Sequence, residues 1–200
     1  ASFRIIKIIF LSDSFKSSDG FRYDIVDITR QVLINRSHKL YEKMYEAYTK
    51  KDINKFRKYS VEFLSIARDL DLTLSARQEF LLGKWIHDAR ALGHTTQEKN
   101  LYEINARNLI TLWGGKNSVL YEYACKQWNG LINGFYIPRW TKFINTVTAD
   151  LKKDKPTDFE KFEDNIKEWE WSWVNSSEKY AEEPTTDAIS VCKKMHNKYF

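Results

Sequence analysis

Only seven glycines and three prolines interrupt this 200-residue sequence. These residues end helices and punctuate short strands, so a chain this poor in them runs in long uninterrupted segments. The apolar residues recur at helical rather than alternating spacing. Ile25, Ile28, Val32, Leu33, Leu40, Tyr41, Met44 and Tyr48 predict a long amphipathic helix over Tyr23–Lys50. Asp52 is placed to cap the next, whose buried face uses Ile53, Phe56, Phe63, Leu64, Ala67 and Leu70. Capping-box patterns at Ser75–Gln78, Thr95–Glu98 and Thr157–Glu160 open three more, and Thr185 or Thr186 caps a last one through Lys198. The expected fold is all-α, one bundle-like domain over 1–200 with about seven helices. No repeat of solenoid length occurs.

Asn100–Ile144 organises the rest. Leu101, Ile104, Leu109 and Leu112, then Leu120, Tyr123 and Leu131, lie on either side of Trp113-Gly114-Gly115, which predicts a central helical hairpin around 97–135. Its first arm ends at Trp113. Its second runs from Ser118 to Phe135, where Pro138 must break or kink it before a further helix to Lys153. Trp113 and Tyr123 then present two aromatic faces at one tip, a surface on which sugar rings stack. Asn105, Arg107 and Asn108 precede Trp113 at near-helical turns and are read as a hydrogen-bonded support for it; Arg139 and Trp140 are read as scaffold. Farther on, Trp169 and Trp173 share a face at i,i+4 and Trp171 points elsewhere, so one face is core and the other meets a neighbouring domain.

Composition narrows the chemistry. The net charge of +5 comes from 32 basic and 27 acidic residues that are interleaved, the pattern of a solvated surface rather than a nucleic-acid footprint. No Gly-rich phosphate loop, His-Glu-x-x-His pattern or nucleophile elbow occurs, and His38, His87, His94 and His196 are scattered. No cofactor, metal, membrane span or nucleic-acid partner is expected, and no acidic pair reads as a general acid with its nucleophile. Cys125 and Cys192 match no metal or redox spacing and are either thiols or one long-range disulfide. Asn35-Arg36-Ser37 and Asn175-Ser176-Ser177 are glycosylation acceptors by pattern, which does not fix the compartment. The opening FRIIKIIFLS is broken by Arg4 and Lys7, and the chain begins at Ala, which together fit a piece of a longer polypeptide.

Four stretches carry a resemblance: FRYDIVDITRQ (21–31), FLLGKWIHDAR (80–90), YEINARNLITLWG (102–114) and YACKQWNGLINGFYIPRWTKFI (123–144). In order and separation they resemble the C-terminal helical domain of glycoside hydrolase family 89, the α-N-acetylglucosaminidases. The resemblance implies a retaining parent enzyme whose two catalytic carboxylates lie in a (β/α)₈ barrel outside this chain, since such a barrel alone needs about 250 residues. It implies that the domain packs on that barrel and closes one wall of a pocket for terminal α-linked N-acetylglucosamine. By motif position Trp113 and Tyr123, with Leu120 beside them, reach the sugar. The loop at Gly115–Val119 departs from the animal members by one extra residue. Family members are exported in bacteria and lysosomal in animals. A stand-alone carbohydrate-binding module is the alternative, decided by whether a barrel is encoded upstream.

Overall fold

The computed structural model of the chain describes residues 12–117 and 124–199. After a helical turn at Ser12–Phe15 come seven longer helices: α1 Asp19–Thr49, α2 Ile53–Leu74, α3 Leu82–Ala91, α4 Thr96–Leu109, α5 Ile137–Lys152, α6 Phe159–Val174 and α7 Ala188–Tyr199. Among the described residues there is no strand, only one isolated parallel bridge between Leu81 and Asn129. The all-α expectation holds.

Two caps form as read. The Asp52 carboxylate accepts the Lys55 N–H at 3.0 Å, and Thr95 and Glu98 close a reciprocal capping box. Elsewhere the neighbouring acid wins. Asp158, not Thr157, caps α6, and Asp187, not Thr185 or Thr186, accepts the Ser190 N–H at 2.8 Å. The Ser75 pattern opens no helix: its hydroxyl donates back to the Leu72 carbonyl at 2.8 Å and meets Thr186 Oγ1 at 3.0 Å. Helix α3 therefore starts later, at Leu82, and the Ser75 carbonyl instead accepts the Thr185 N–H at 2.9 Å.

The larger correction concerns the second arm of the central hairpin. Residues 124–130 are not helical, and 118–123 lie outside the described residues. Asn129 is drawn into an extended pairing instead, its N–H donating to the Phe80 carbonyl at 2.8 Å and its carbonyl accepting the Leu82 N–H at 3.1 Å. Asp71 of α2 completes the detour. Its carboxylate accepts the N–H groups of Gly130 and Asn133 at 2.9 and 3.0 Å and the Asn129 side-chain amide at 2.8 Å. A carboxylate from another helix thus serves as N-terminal cap for the helix that follows. That helix begins as a π turn at Ile132–Tyr136 and runs into α5, with Pro138 in the first α turn. The wide π turn lies where the Pro138 ring would crowd the preceding carbonyls.

Three cores hold the helices. One joins α1, α2 and α7 through Val26, Leu33, Leu70, Leu74, Val191 and Met195. Another, at the far end of the α1–α2 pair, uses Met44, Phe56 and Val147. The core that positions the tip gathers Leu82 of α3, Ile110 and Leu112 just past the end of α4, Leu131 and Phe135 at the π turn that leads into α5, and Trp173 and Val174 of α6. Trp173 is buried there; Trp169 and Trp171 are half-buried against the same core, and Trp169 stacks on Phe135 at 5.4 Å. The segment after α6 is sewn in by Tyr180, which lies over Gly130 and Gly134, while a Cβ on Gly83 would come within 2.1 Å of the Ala181 carbonyl oxygen. Cys192 is a buried thiol and Cys125 an exposed one, so no disulfide joins them; burial pushes the Cys192 thiol up to about 12.

Candidate functional site

The tip is built on α4, but with a different inward face from the one the apolar spacing predicts. Leu101 and Leu109 are exposed, and Glu103, Ala106, Arg107 and Ile110 are buried. Arg107 is fully buried, which requires every charge and donor to be met. Its Nε and Nη2 donate to Glu103 Oε1 at 3.1 and 2.8 Å, Nη2 also to the Glu178 carbonyl at 2.6 Å, and Nη1 to Ser176 Oγ at 3.3 Å. The guanidinium lies 5.0 Å from the Trp173 ring and 5.4 Å from the Tyr180 ring. The other Glu103 oxygen accepts Arg90 Nη1 at 2.6 Å. Burial raises the Glu103 pKa, but the bonds from Arg107 and Arg90 outweigh it and hold the carboxyl below its usual range.

This inner face anchors the end of α4. The helix stops at Leu109, short of the expected Trp113, and Asn108 governs the turn that follows. Its carbonyl accepts the N–H of both Thr111 and Trp113, at 3.1 and 2.8 Å, and its side-chain oxygen accepts the Gly114 N–H at 3.2 Å. Trp113 itself has φ of 58°. That left-handed region is uncommon for a bulky residue, and backbone held there concentrates at ligand clamps and active sites. Trp113 is 40% exposed. An ion pair between Lys116 and Glu168 ties the following loop to α6.

The other residues singled out in the sequence separate. Leu120 and Tyr123 lie outside the described residues. Asn105 is exposed on the outward side of α4 and adds nothing to the Arg107 network. Arg139 donates to Glu170 at 3.2 Å and lies over the Phe135 and Tyr136 rings. Trp140 packs edge-on to Phe63 and Tyr41, joining α5 to α2 and α1. Arg139 and Trp140 line a cleft of about 280 Å³ with Phe143 and Phe159. Glu103 and Tyr180 went unread, although Glu103 and Arg107 stand at the i,i+4 spacing of an ion pair. Nothing local signals Tyr180.

No group of three or more His, Cys, Asp or Glu that could hold a metal occurs among the described residues. His87 pairs with Glu182 at 2.9 Å. None of the described helices is long and apolar enough to cross a membrane.

Residues 5–198 match the family model described as the alpha-N-acetylglucosaminidase (NAGLU) C-terminal domain. The chain belongs to this family. Among curated relatives of this α-N-acetylglucosaminidase C-terminal domain is the human alpha-N-acetylglucosaminidase, 33% identical over 188 residues, which are 94% of this chain and 25% of that protein. Among solved structures it is similar to a family 89 glycoside hydrolase from Clostridium perfringens in complex with PUGNAc, with a TM-score of 0.87 and 34% identity over 99% of this chain and 23% of that one. A variant of that bacterial enzyme, in complex with its substrate GlcNAc-α-1,4-galactose, gives a TM-score of 0.83 and 35% identity over 94% of this chain and 22% of that one. The chain thus spans about a quarter of the length of these glycoside hydrolases.

Proposed function

We propose that this domain packs on the catalytic barrel of its parent polypeptide and forms one wall of a pocket for terminal α-linked N-acetylglucosamine. The observation that carries the reading is Trp113, a tryptophan kept in left-handed backbone and 40% exposed where a glycine follows that would adopt the same conformation at less cost. A core plug needs neither exposure nor strain. Leu101 and Leu109, exposed on either side of Asn105 along the outward side of α4, lead up to it and offer apolar side chains that a partner domain would cover. The lengths of the relatives leave room for such a partner, since three-quarters of each lies outside the match.

In this reading the parent hydrolyses α-N-acetylglucosaminides with retention, through two carboxylates supplied by the barrel. Trp113, with Leu120 and Tyr123, orients the sugar ring; the domain contributes by positioning and not by proton transfer. Among the described residues near the tip, Glu103 already pairs with Arg107 and Arg90, Glu168 with Lys116, and Glu170 with Arg139. A bacterial parent would be exported and an animal parent lysosomal.

The test compares the 200-residue chain and its full-length parent on an aryl α-N-acetylglucosaminide. The parent should hydrolyse it and the chain alone should not. Turnover by the chain, abolished by changing one of its own Asp or Glu residues, would overturn the assignment.

A further inference from the structure

Away from the tip, α1, α2 and α7 line a half-open pocket of about 400 Å³ whose charge is one-sided. Arg36, Lys39 and Lys43 of α1 and Lys198 of α7 line it, against the single carboxylate of Glu62; its floor is Leu40 and Ile66. Asp69 lies close by but is already engaged, accepting Lys198 Nζ at 2.5 Å and the Tyr199 hydroxyl. Elsewhere on α1 the cations are matched. Arg22 pairs with Asp187 and Arg30 with Asp27, and Lys50, just past the end of α1, with Glu46. Among the described residues no carboxylate pairs with Arg36, Lys39 or Lys43.

Like charges three and four positions apart on one helix face repel, so the run from Arg36 to Lys43 is unfavourable unless something anionic offsets it. Two of these side chains, Arg36 and Lys43, are also held in place. The Arg36 guanidinium sits 5.1 Å from the Tyr199 ring, with one nitrogen on the Tyr199 carbonyl at 3.4 Å, and Lys43 lies 5.5 Å from the Tyr59 ring. The aromatic faces fix Arg36 and Lys43 without using up N–H donors, and those other than the one on the Tyr199 carbonyl remain for an acceptor in the pocket. Glu42, the nearest acid on α1, faces His38 at 3.5 Å.

We infer that this pocket binds a phosphate group, free or as the ester of a small molecule. A planar guanidinium and two ammonium groups converge on it, the donor set that suits a tetrahedral dianion. The volume exceeds what a bare phosphate fills, and the Leu40 and Ile66 floor gives the carbon part of an ester a dry surface. Nothing in this inference depends on the role of Trp113.

The test is equilibrium dialysis of the full-length protein with radiolabelled orthophosphate and glucose 6-phosphate at constant ionic strength, with acetate and chloride as competitors. One saturable site per chain is expected, displaced by neither competitor. The double variant Lys39→Gln, Lys43→Gln should weaken it at least tenfold; both positions are exposed and Gln is a good helix former, so the melting temperature reports that the fold is kept. A control pair, Lys152→Gln with Lys153→Gln, removes the same charge from the end of α5 and should leave binding unchanged. Tighter binding of the sugar ester than of orthophosphate would assign the floor to the ester's carbon skeleton; equal binding would assign the site to the free anion. Non-saturable uptake, displacement by acetate, or equal loss in both variant pairs would overturn the inference.

Discussion

The backbone carbonyl of Asn108 accepts the Trp113 N–H at 2.8 Å, and through its side chain the same residue holds the Gly114 N–H. One asparagine therefore dictates where a tryptophan stands, and the tryptophan takes a backbone conformation better suited to glycine.

Trp113→Gly should separate stability from activity. A left-handed non-glycine residue stores about 1–3 kcal/mol, which glycine releases against the lost side-chain contacts. The melting temperature should hold or rise slightly. In the full-length enzyme kcat/KM should fall about 10- to 100-fold, for a stacking contact of about 1–3 kcal/mol. A large drop in melting temperature with normal kcat/KM would return Trp113 to the core.

Arg107→Ala should destabilise the domain by about 3–5 kcal/mol in a denaturant titration, because it leaves the buried Glu103 carboxylate with only Arg90. Arg107→Lys should recover little. A single ammonium cannot reach Glu103, Ser176 Oγ and the Glu178 carbonyl from between two aromatic rings.

Alanine should act with opposite sign at two helical glycines. At Gly83 a Cβ would meet backbone of Ala181 at 2.1 Å, so Gly83→Ala should be among the most damaging small substitutions. At Gly20, in the first turn of α1, it would meet nothing within 4 Å, and Gly20→Ala should stabilise by about 0.4–1 kcal/mol. Paired thermal melts read both.

Acid should weaken the domain partly through Glu103. Its carboxyl titrates below the ordinary 4.5 in the folded chain, so its contribution is present above that value and is lost as pH falls through the lower folded one. The stability gap between the native chain and Glu103→Gln should be flat near neutrality and close below about pH 4.5. Asp71 has the opposite sign: burial raises its pKa, against the backbone N–H bonds from Gly130 and Asn133, so its contribution is greatest at low pH and declines as pH rises through the raised value. A gap that widens on acidification would exclude the Glu103 account.

Local chemistry was partly legible in the sequence, apart from the caps that Asp158 and Asp187 took from neighbouring threonines, and long-range partners were not. Asp52 and the Thr95–Glu98 box cap as read, because each needs only donors a few residues away. Ser75 carries the same pattern and fails, because Thr185 and Thr186, more than a hundred residues on, engage its carbonyl and hydroxyl. Residues 124–130 leave the helix for Phe80, Leu82 and Asp71, partners that no window around Asn129 contains. On α4 the leucines misled: an ion pair and an alanine face inward, and Leu101 and Leu109 face out. Asn108 and Arg107 were picked out, whereas Tyr123 and Leu120 lie outside the described residues.

Tyr180 has a consequence for the order in which the domain is made. It fills a slot formed by Gly130 and Gly134, and its neighbour Ala181 lies against Gly83, so partners about fifty and a hundred residues upstream wait for it. While the ribosome still holds the chain at Val174, that slot stands open, and Arg107 has neither the Glu178 carbonyl nor the Tyr180 ring. The α1–α2 pair can form early, from neighbouring residues; the half that bears the tip closes only once the segment from Ser176 to Ala181 has emerged.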